Sequence, residues 1–186
     1  LAARGHWVRV YRKKNNDFAA QGWLGKLRSA FQIPFSFDVY FDISRQIKAH
    51  RPDIIHVHNI FPFLTPSVYY AAARHGVPVV QSLHNYRFTC INGLLLRDSH
   101  PCQLCVGSSS IHGVIHGCYQ GSSPRSAVMA ASLGLHQFLG TWQRKIDRLI
   151  ATSQFSRSVF QRAGLPEGKM AVIPNGIPVP TTVSTE

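Results

Sequence analysis

Side chains that can exchange a proton or hydrogen-bond a phosphate stand beside two strand-like runs of the sequence. His56, His58 and Asn59 occupy the end of the first run, and His84 and Asn85 directly follow the second. Imidazole titrates near neutral pH and can donate a hydrogen bond to a phosphate or a hydroxyl group. These residues are therefore the first candidates for a catalytic or binding site.

The elements around them predict how they are brought together. Asp53–Val57 is β-branched, Pro66–Arg74 has an alanine-rich helical pattern, and Val77–Ser82 is a second strand. Two strands separated by a helix pair in parallel through a right-handed crossover. Ligands of such sheets bind beyond the carboxyl ends of the strands, where these side chains fall. His56 lies deeper in its apolar run, so we expect it to be a hydrogen-bonded core histidine.

The whole pattern predicts an α/β fold with a doubly wound, Rossmann-like parallel sheet. We expect strands near residues 7–11, 53–58, 77–82, 147–151 and 170–173, and further helices near residues 38–50, 125–145 and 153–163. Residues 1–173 would form the domain, residues 85–123 a cysteine-rich insertion, and residues 174–186 the start of an interdomain linker.

Four cysteines lie within that insertion, spaced C-x11-C-x2-C-x12-C: Cys90, Cys102, Cys105 and Cys118. The C-x2-C pair places two thiolates one turn apart, which suits tetrahedral Zn²⁺. Three histidines could substitute as ligands: His100, His112 and His116. Structural zinc is the favoured interpretation, and free or redox-active thiols and disulfides remain open.

Composition and charge limit the class of protein. With 186 residues, 45% hydrophobic and 15% charged, the chain is a folded globular protein and not a disordered one. Twenty Lys and Arg against eight Asp and Glu give a net charge of +12, which attracts polyanions such as nucleic acid, anionic lipid or phosphorylated substrates. The basic residues are dispersed and not interleaved with stacking aromatics, so nucleic acid is disfavoured.

Four stretches in order carry a family resemblance: DIIHVHN at 53–59, GVPVVQSLHNY at 76–86, RLIATSQFSR at 148–157 and VIPNGI at 172–177. Each stands at a predicted strand. Together they resemble the N-terminal domain of the family 4 glycosyltransferases, which are retaining enzymes of the GT-B fold. The similarity extends from about Gly5 to the end, so the chain would be one half of a GT-B enzyme.

The resemblance implies roles for particular residues. The histidine at the position of His84 contacts the sugar nucleotide near the reacting centre in the family, which makes His84 the catalytic candidate. His58, Asn59 and Asn85 would bind substrate beside it. Retaining transfer in the family is thought to need no protein nucleophile, so catalysis rests on positioning and on stabilising negative charge. Two further substrate-binding candidates fit that role, with a helix cap and an exposed arginine as their alternatives: Ser153 and Arg157.

The resemblance also implies partners. The donor would be a nucleotide sugar and the acceptor a glycan or a lipid-linked glycan in polysaccharide biosynthesis. The protein would be cytoplasmic, with peripheral contact to an anionic membrane. The E-x7-E motif of the family's C-terminal, donor-binding domain is absent. We therefore expect a missing donor-binding domain, a first strand and glycine-rich turn upstream of Leu1, and no transferase activity from this chain alone.

Two other classes compete with this interpretation. A zinc-containing nucleic-acid-binding domain would explain the charge and the cysteines, but it predicts clustered basic residues between Cys90 and Cys118, where only Arg97 occurs. A Rossmann-type oxidoreductase would need G-x-G-x-x-G after its first strand, and the chain has no such motif. The glycosyltransferase interpretation is the one that we favour.

Overall fold

The computed structural model describes residues 2–12, 32–62 and 64–176, and within them it has a four-stranded parallel sheet and six α-helices. The sheet strands are β1 (Ile55–Val57), β2 (Val79–Leu83), β5 (Arg148–Ala151) and β6 (Met170–Val172). A small antiparallel hairpin consists of β3 (Leu96–Arg97) and β4 (His100–Pro101). The helices are α1 (Phe37–His50), α2 (Ser67–Arg74), α3 (Ile111–Ile115), α4 (Ser123–Phe138), α5 (Thr141–Arg144) and α6 (Gln154–Arg162).

The strands of the sheet lie in the order β1-β2-β5-β6, and every neighbouring pair is parallel. A helical segment connects each strand to the next, as parallel pairing requires. The predicted Rossmann-like α/β class is therefore confirmed. Because all four strands run the same way, the residues that follow them meet at one edge of the sheet.

The two central strands form the floor of the core. The side chains of Leu83 in β2 and Leu149 in β5 are buried, and Tyr69 of α2 and Phe160 of α6 lie in the same apolar cluster without solvent exposure. A polar pair lies within this apolar core: the Tyr69 hydroxyl donates a hydrogen bond to Oε1 of buried Gln81 at 2.7 Å. A buried amide oxygen needs such a partner, so helix α2 is fixed against β2 at this point.

The residues that flank helix α1 determine where it begins and ends. Ser36 caps it by accepting a hydrogen bond from the backbone N–H of Val39, and the buried stripe Val39, Ile43 and Ile47 faces the core. Arg51, directly before Pro52, adopts a left-handed backbone with φ of 44° and closes the helix. The helix predicted from residue 38 to 50 is confirmed.

The prediction of a single long helix over residues 125–145 is wrong. The helix is interrupted between α4, which ends at Phe138, and α5, which begins at Thr141. Gly140 has φ of +63°, a left-handed conformation that no α-helix continues through. The buried ring of His136 bonds the Thr141 hydroxyl at 2.9 Å and the Pro34 carbonyl at 2.7 Å, which fixes the turn. The apolar spacing continues across the break, so periodicity alone could not locate it.

The predicted strand over residues 7–11 is also absent from the described residues. Trp7 and Val10 are 66% and 70% exposed, and the segment joins none of the four sheet strands. A strand needs a neighbour whose backbone groups it can pair with, and an alternating sequence does not supply one. The predicted linker lies mostly outside the described residues, from residue 177 onward.

Replacement of Tyr69 by Phe tests the buried polar pair. The variant leaves Oε1 of Gln81 buried without its donor, so we expect a loss of about 1–3 kcal/mol in the free energy of unfolding. Tyr40→Phe is the matched control, since no described residue hydrogen-bonds the Tyr40 hydroxyl. Urea unfolding measures both, and equal stability of the two variants would contradict the assigned role.

Candidate active site

The pairing of β1 with β2 brings His58 and His84 into direct contact. Nδ1 of His58 and Nε2 of His84 are 2.8 Å apart, and the two rings stack with centroids 5.0 Å apart and planes 13° from parallel. The two residues lie 26 positions apart in the sequence. The structure therefore gathers the two histidines that the sequence placed at the same edge of the sheet.

A second pair lies beside the first. Nδ2 of Asn85 donates to Oδ1 of Asn59 at 2.9 Å, and Oδ1 of Asn85 accepts from the backbone N–H of Arg87 at 3.1 Å. Asn59 adopts a left-handed backbone with φ of 33°, which asparagine tolerates better than most residues. Nδ2 of Asn59 has no acceptor within the described part of the chain, so it is available to a ligand.

His56 differs from its prediction. Its Nε2 contacts the Ser82 hydroxyl at 2.8 Å, so it is hydrogen-bonded as expected, but its side chain is exposed and not in the core. It packs on the ring of His58 with centroids 4.2 Å apart. It lies on β1, which is at the edge of the described sheet, on the same face as His58, and it extends the polar cluster.

Partial burial and repulsion between the rings lower the pKa values of His56 and His58, which disfavours the charged form of each. Although both side chains are exposed, partial burial of the rings lowers the pKa of His56, and a charge on His84 would lower it further. Partial burial likewise lowers the pKa of His58, with added repulsion from His56 and His84. Neutral imidazoles can each donate one hydrogen bond and accept another, which is the form needed to share a proton between two rings.

The contact between His58 and His84 couples their tautomers. When Nδ1 of His58 carries the proton, Nε2 of His84 accepts and the neutral ring of His84 carries its own proton on Nδ1. When Nε2 of His84 donates instead, its Nδ1 becomes an acceptor. Nδ1 of His84 has no partner among the residues described, so it is free either to donate to a phosphate or hydroxyl or to accept from one.

A small open pocket adjoins these pairs. Its lining includes Asn59, Phe61, His84, Asn85, Arg87 and Phe88.

Sequence reasoning did not single out Arg87, although it belongs to the HNYR run that follows β2. Its guanidinium donates to the carbonyls of Ile91 and Asn92 at 3.1 and 3.0 Å and lies over the Tyr119 ring. Its place three residues after His84 is the sequence signal from which it could have been predicted.

Three of the predicted substrate-binding residues do not line this pocket: His58, which contacts His84 from outside it, Ser153 and Arg157. Ser153 caps α6 in a reciprocal capping box with Ser156, so its hydroxyl is engaged in holding the helix. It follows β5, the neighbour of β2, and therefore stands at the same edge of the sheet. Nη2 of Arg157 pairs with Glu167 at 3.3 Å, while its buried Nε has no partner in the described chain.

Comparison with known families decides the affiliation. The family model described as Glycosyltransferase Family 4 matches residues 1–179. The chain belongs to glycosyltransferase family 4. This match gives no support to the alternative of a zinc-containing nucleic-acid-binding domain. No curated protein and no solved structure matches the chain.

Membership in family 4 makes the protein a transferase domain with a sugar donor and an acceptor as its partners in general. The carboxyl edge of its sheet carries the polar pairs described above, in the place where α/β folds bind ligands. In the described ranges, none of the helices has the length and apolarity required to cross a bilayer.

The lowered pKa of His58 makes stability depend on pH. Because the folded-state pKa of His58 is lowered from 6.5, the unfolded chain binds the proton first as pH falls. We expect the free energy of unfolding to be constant above about pH 6.5 and to decrease as pH falls through the lowered pKa. Buried His136, whose pKa is also lowered by burial, acts in the same direction.

Urea unfolding between about pH 7.5 and 5 measures this dependence in the parent and in His58→Gln. Glutamine keeps a hydrogen-bonding amide but does not titrate, so the variant should lose less stability on acidification. An identical loss in both proteins would show that His58 is not a perturbed group.

Proposed function

We propose that this domain is the acceptor-side half of a retaining glycosyltransferase that moves a hexosyl group from a nucleotide sugar to a glycan or lipid-linked acceptor. The observation that carries the proposal is the contact between His58 and His84 beside Asn59, at the ligand-binding edge of a family 4 sheet. The cluster offers hydrogen-bond donors and acceptors but no paired carboxylates, which fits transfer without a protein nucleophile.

In this mechanism His84 positions the reacting groups. Its free Nδ1 donates to a phosphate oxygen or sugar hydroxyl of the donor, and His58 holds the tautomer that makes this possible. Nδ2 of Asn59 binds an acceptor hydroxyl. The bond between the anomeric carbon and the diphosphate oxygen breaks as the acceptor oxygen bonds to that carbon on the same face. The departing diphosphate takes the acceptor's proton, so atoms and charge balance.

The negative charge that develops on the diphosphate needs stabilisation from both halves of the enzyme. From this domain, Arg87 is a half-buried cation in the pocket wall, and the N-terminus of α6 behind Ser153 contributes backbone N–H groups at the same edge. We propose that a donor-binding domain with the E-x7-E motif supplies the remainder. By this proposal the 186-residue chain alone does not catalyse transfer.

The test is His84→Ala in the full-length enzyme that carries this domain. Loss of a hydrogen bond at the reacting centre should raise the barrier by roughly 2–4 kcal/mol, which is a decrease of about 30- to 900-fold in kcat/KM. His100→Ala is the matched control, since among the described residues the His100 ring hydrogen-bonds the nearby carbonyl of Asp98 and does not line the pocket. Near-parental turnover of His84→Ala would remove this residue from the site.

We also propose peripheral contact with an anionic membrane at its cytoplasmic face, where a lipid-linked acceptor would be met. The supporting surface is the end of α4, where Phe138 is 88% exposed and Leu135 and Leu139 are each 43% exposed. Exposed Arg144 lies against Gly140 just beyond them. Apolar side chains beside cations on a chain of net charge +12 favour an anionic lipid surface.

Co-sedimentation with vesicles tests this contact. Phe138→Asp should weaken binding to vesicles that contain phosphatidylserine by several-fold, because it places a charge in the apolar contact and repels the lipid. Phe41→Asp, at a 62% exposed position of α1, is the control and should bind like the parent. Equal binding of all three proteins would exclude the end of α4 as the contact.

A further inference from the structure

The segment between β2 and α4 collects all four cysteines around one pocket. Cys90 closes a turn that begins at Tyr86, Cys102 and Cys105 follow the β3–β4 hairpin, and Cys118 follows α3. All four are free thiols in the structure. Three separate stretches of this segment therefore place their cysteines around the same pocket.

The backbone N–H groups of three of the cysteines are hydrogen-bonded within the segment. The backbone N–H of Cys90 donates to the carbonyl of Tyr86, that of Cys102 to Leu95, and that of Cys118 to Gly113. Apart from the two-residue strands of the hairpin and the five-residue helix α3, the segment has little regular structure. Long segments of this kind are uncommon in compact domains unless something organises them, and a shared metal ion is one such organiser.

Arg97 gives the second observation. Its guanidinium lines the same pocket as the four thiols, and its Nη1 is buried with no hydrogen-bond acceptor in the described residues. In the described part of the chain, its Nε pairs with the exposed carboxylate of Asp98, at 3.5 Å. A buried cationic N–H requires an acceptor or a negative charge nearby. Disulfides and neutral thiols supply no charge, whereas four thiolates around one divalent ion leave a net negative cluster.

We propose that Cys90, Cys102, Cys105 and Cys118 bind one Zn²⁺ ion as thiolates and that Arg97 offsets the remaining negative charge. Four protein ligands make the site structural, with no position for water. His100 is excluded as a substitute ligand because it does not line the pocket. His112 and His116 do line it and stand in the wall around the thiolates.

The site is not preformed in the structure. In residues 2–12, 32–62 and 64–176, no three His, Cys, Asp or Glu side chains are arranged to hold a metal ion. The thiol of Cys90 instead donates to Oδ1 of Asn92 at 3.0 Å. Zinc binding must therefore deprotonate the thiols and draw them toward the centre of the pocket, so that binding and ordering of the segment are coupled.

The zinc site would brace the pocket that contains His84. The backbone N–H of Tyr86 donates to the carbonyl of Gly93, and Arg87 donates to Ile91 and Asn92, all within or next to the turn that carries Cys90. Loss of the metal would loosen these contacts at the start of the segment. The sheet has its own core and would stay folded.

Metal analysis of the purified chain is the test. We expect about one zinc ion per chain, lost on replacement of both Cys102 and Cys105 by Ser, and retained in His112→Gln and His116→Gln. Cobalt substitution should give thiolate-to-metal charge-transfer absorption and tetrahedral d–d bands. Zinc-free parent protein, zinc retained without Cys102 and Cys105, or zinc lost from either histidine variant would overturn the assignment.

A measurement on the unmodified chain covers the case in which the serine variant does not fold. Alkylation under native conditions should leave the four thiols protected until a chelator removes the metal, with the far-ultraviolet circular dichroism of the sheet unchanged. Mass spectrometry distinguishes the alternatives. Thiols that alkylate freely without chelator, or two disulfides in the native chain, would contradict zinc binding.

Discussion

The parallel pairing of β1 with β2 is the constraint on which the candidate site depends. It sets Ile55 opposite Val79, so that side chains on one face meet partners two residues further along the neighbouring strand. Three polar contacts follow from this register, each between residues 26 positions apart: His56 with Ser82, His58 with His84, and Asn59 with Asn85. A slip of one residue would turn alternate side chains to the other face and separate all three pairs.

Contacts on two sides of this strand pair hold it and the residues that follow it in place. From the core, Tyr69 and Gln81 fix α2 against β2 a few residues before His84. From the outside, Arg87 ties the first residues after β2 to the cysteine-containing segment. His84 and Asn85 thus lie between a rigid strand and a braced turn. Groups held this way lose little freedom when a ligand binds, which is what positioning catalysis requires.

Much of the site could be predicted from sequence, because strand–helix–strand order determines that the ends of β1 and β2 meet. Which atoms pair could not be predicted, because that depends on the register of the two strands, and the apolar runs do not determine the register. His56 shows the limit: its sequence neighbours are apolar, yet its side chain is exposed on β1, at the edge of the described sheet. The break at Gly140 and the missing strand near Trp7 have the same origin, because tertiary partners and not local pattern decided them.

The most direct measurement of the central claim is a crystal structure of this domain, together with the donor-binding domain that we propose for it, in complex with a non-transferable nucleotide-sugar analogue. Our account expects a phosphate or sugar oxygen of the analogue within hydrogen-bonding distance of Nδ1 of His84, with His58 still on Nε2 of that ring. An analogue bound with no contact to His84, Asn59 or Asn85 would contradict the assignment of this edge of the sheet as the active site.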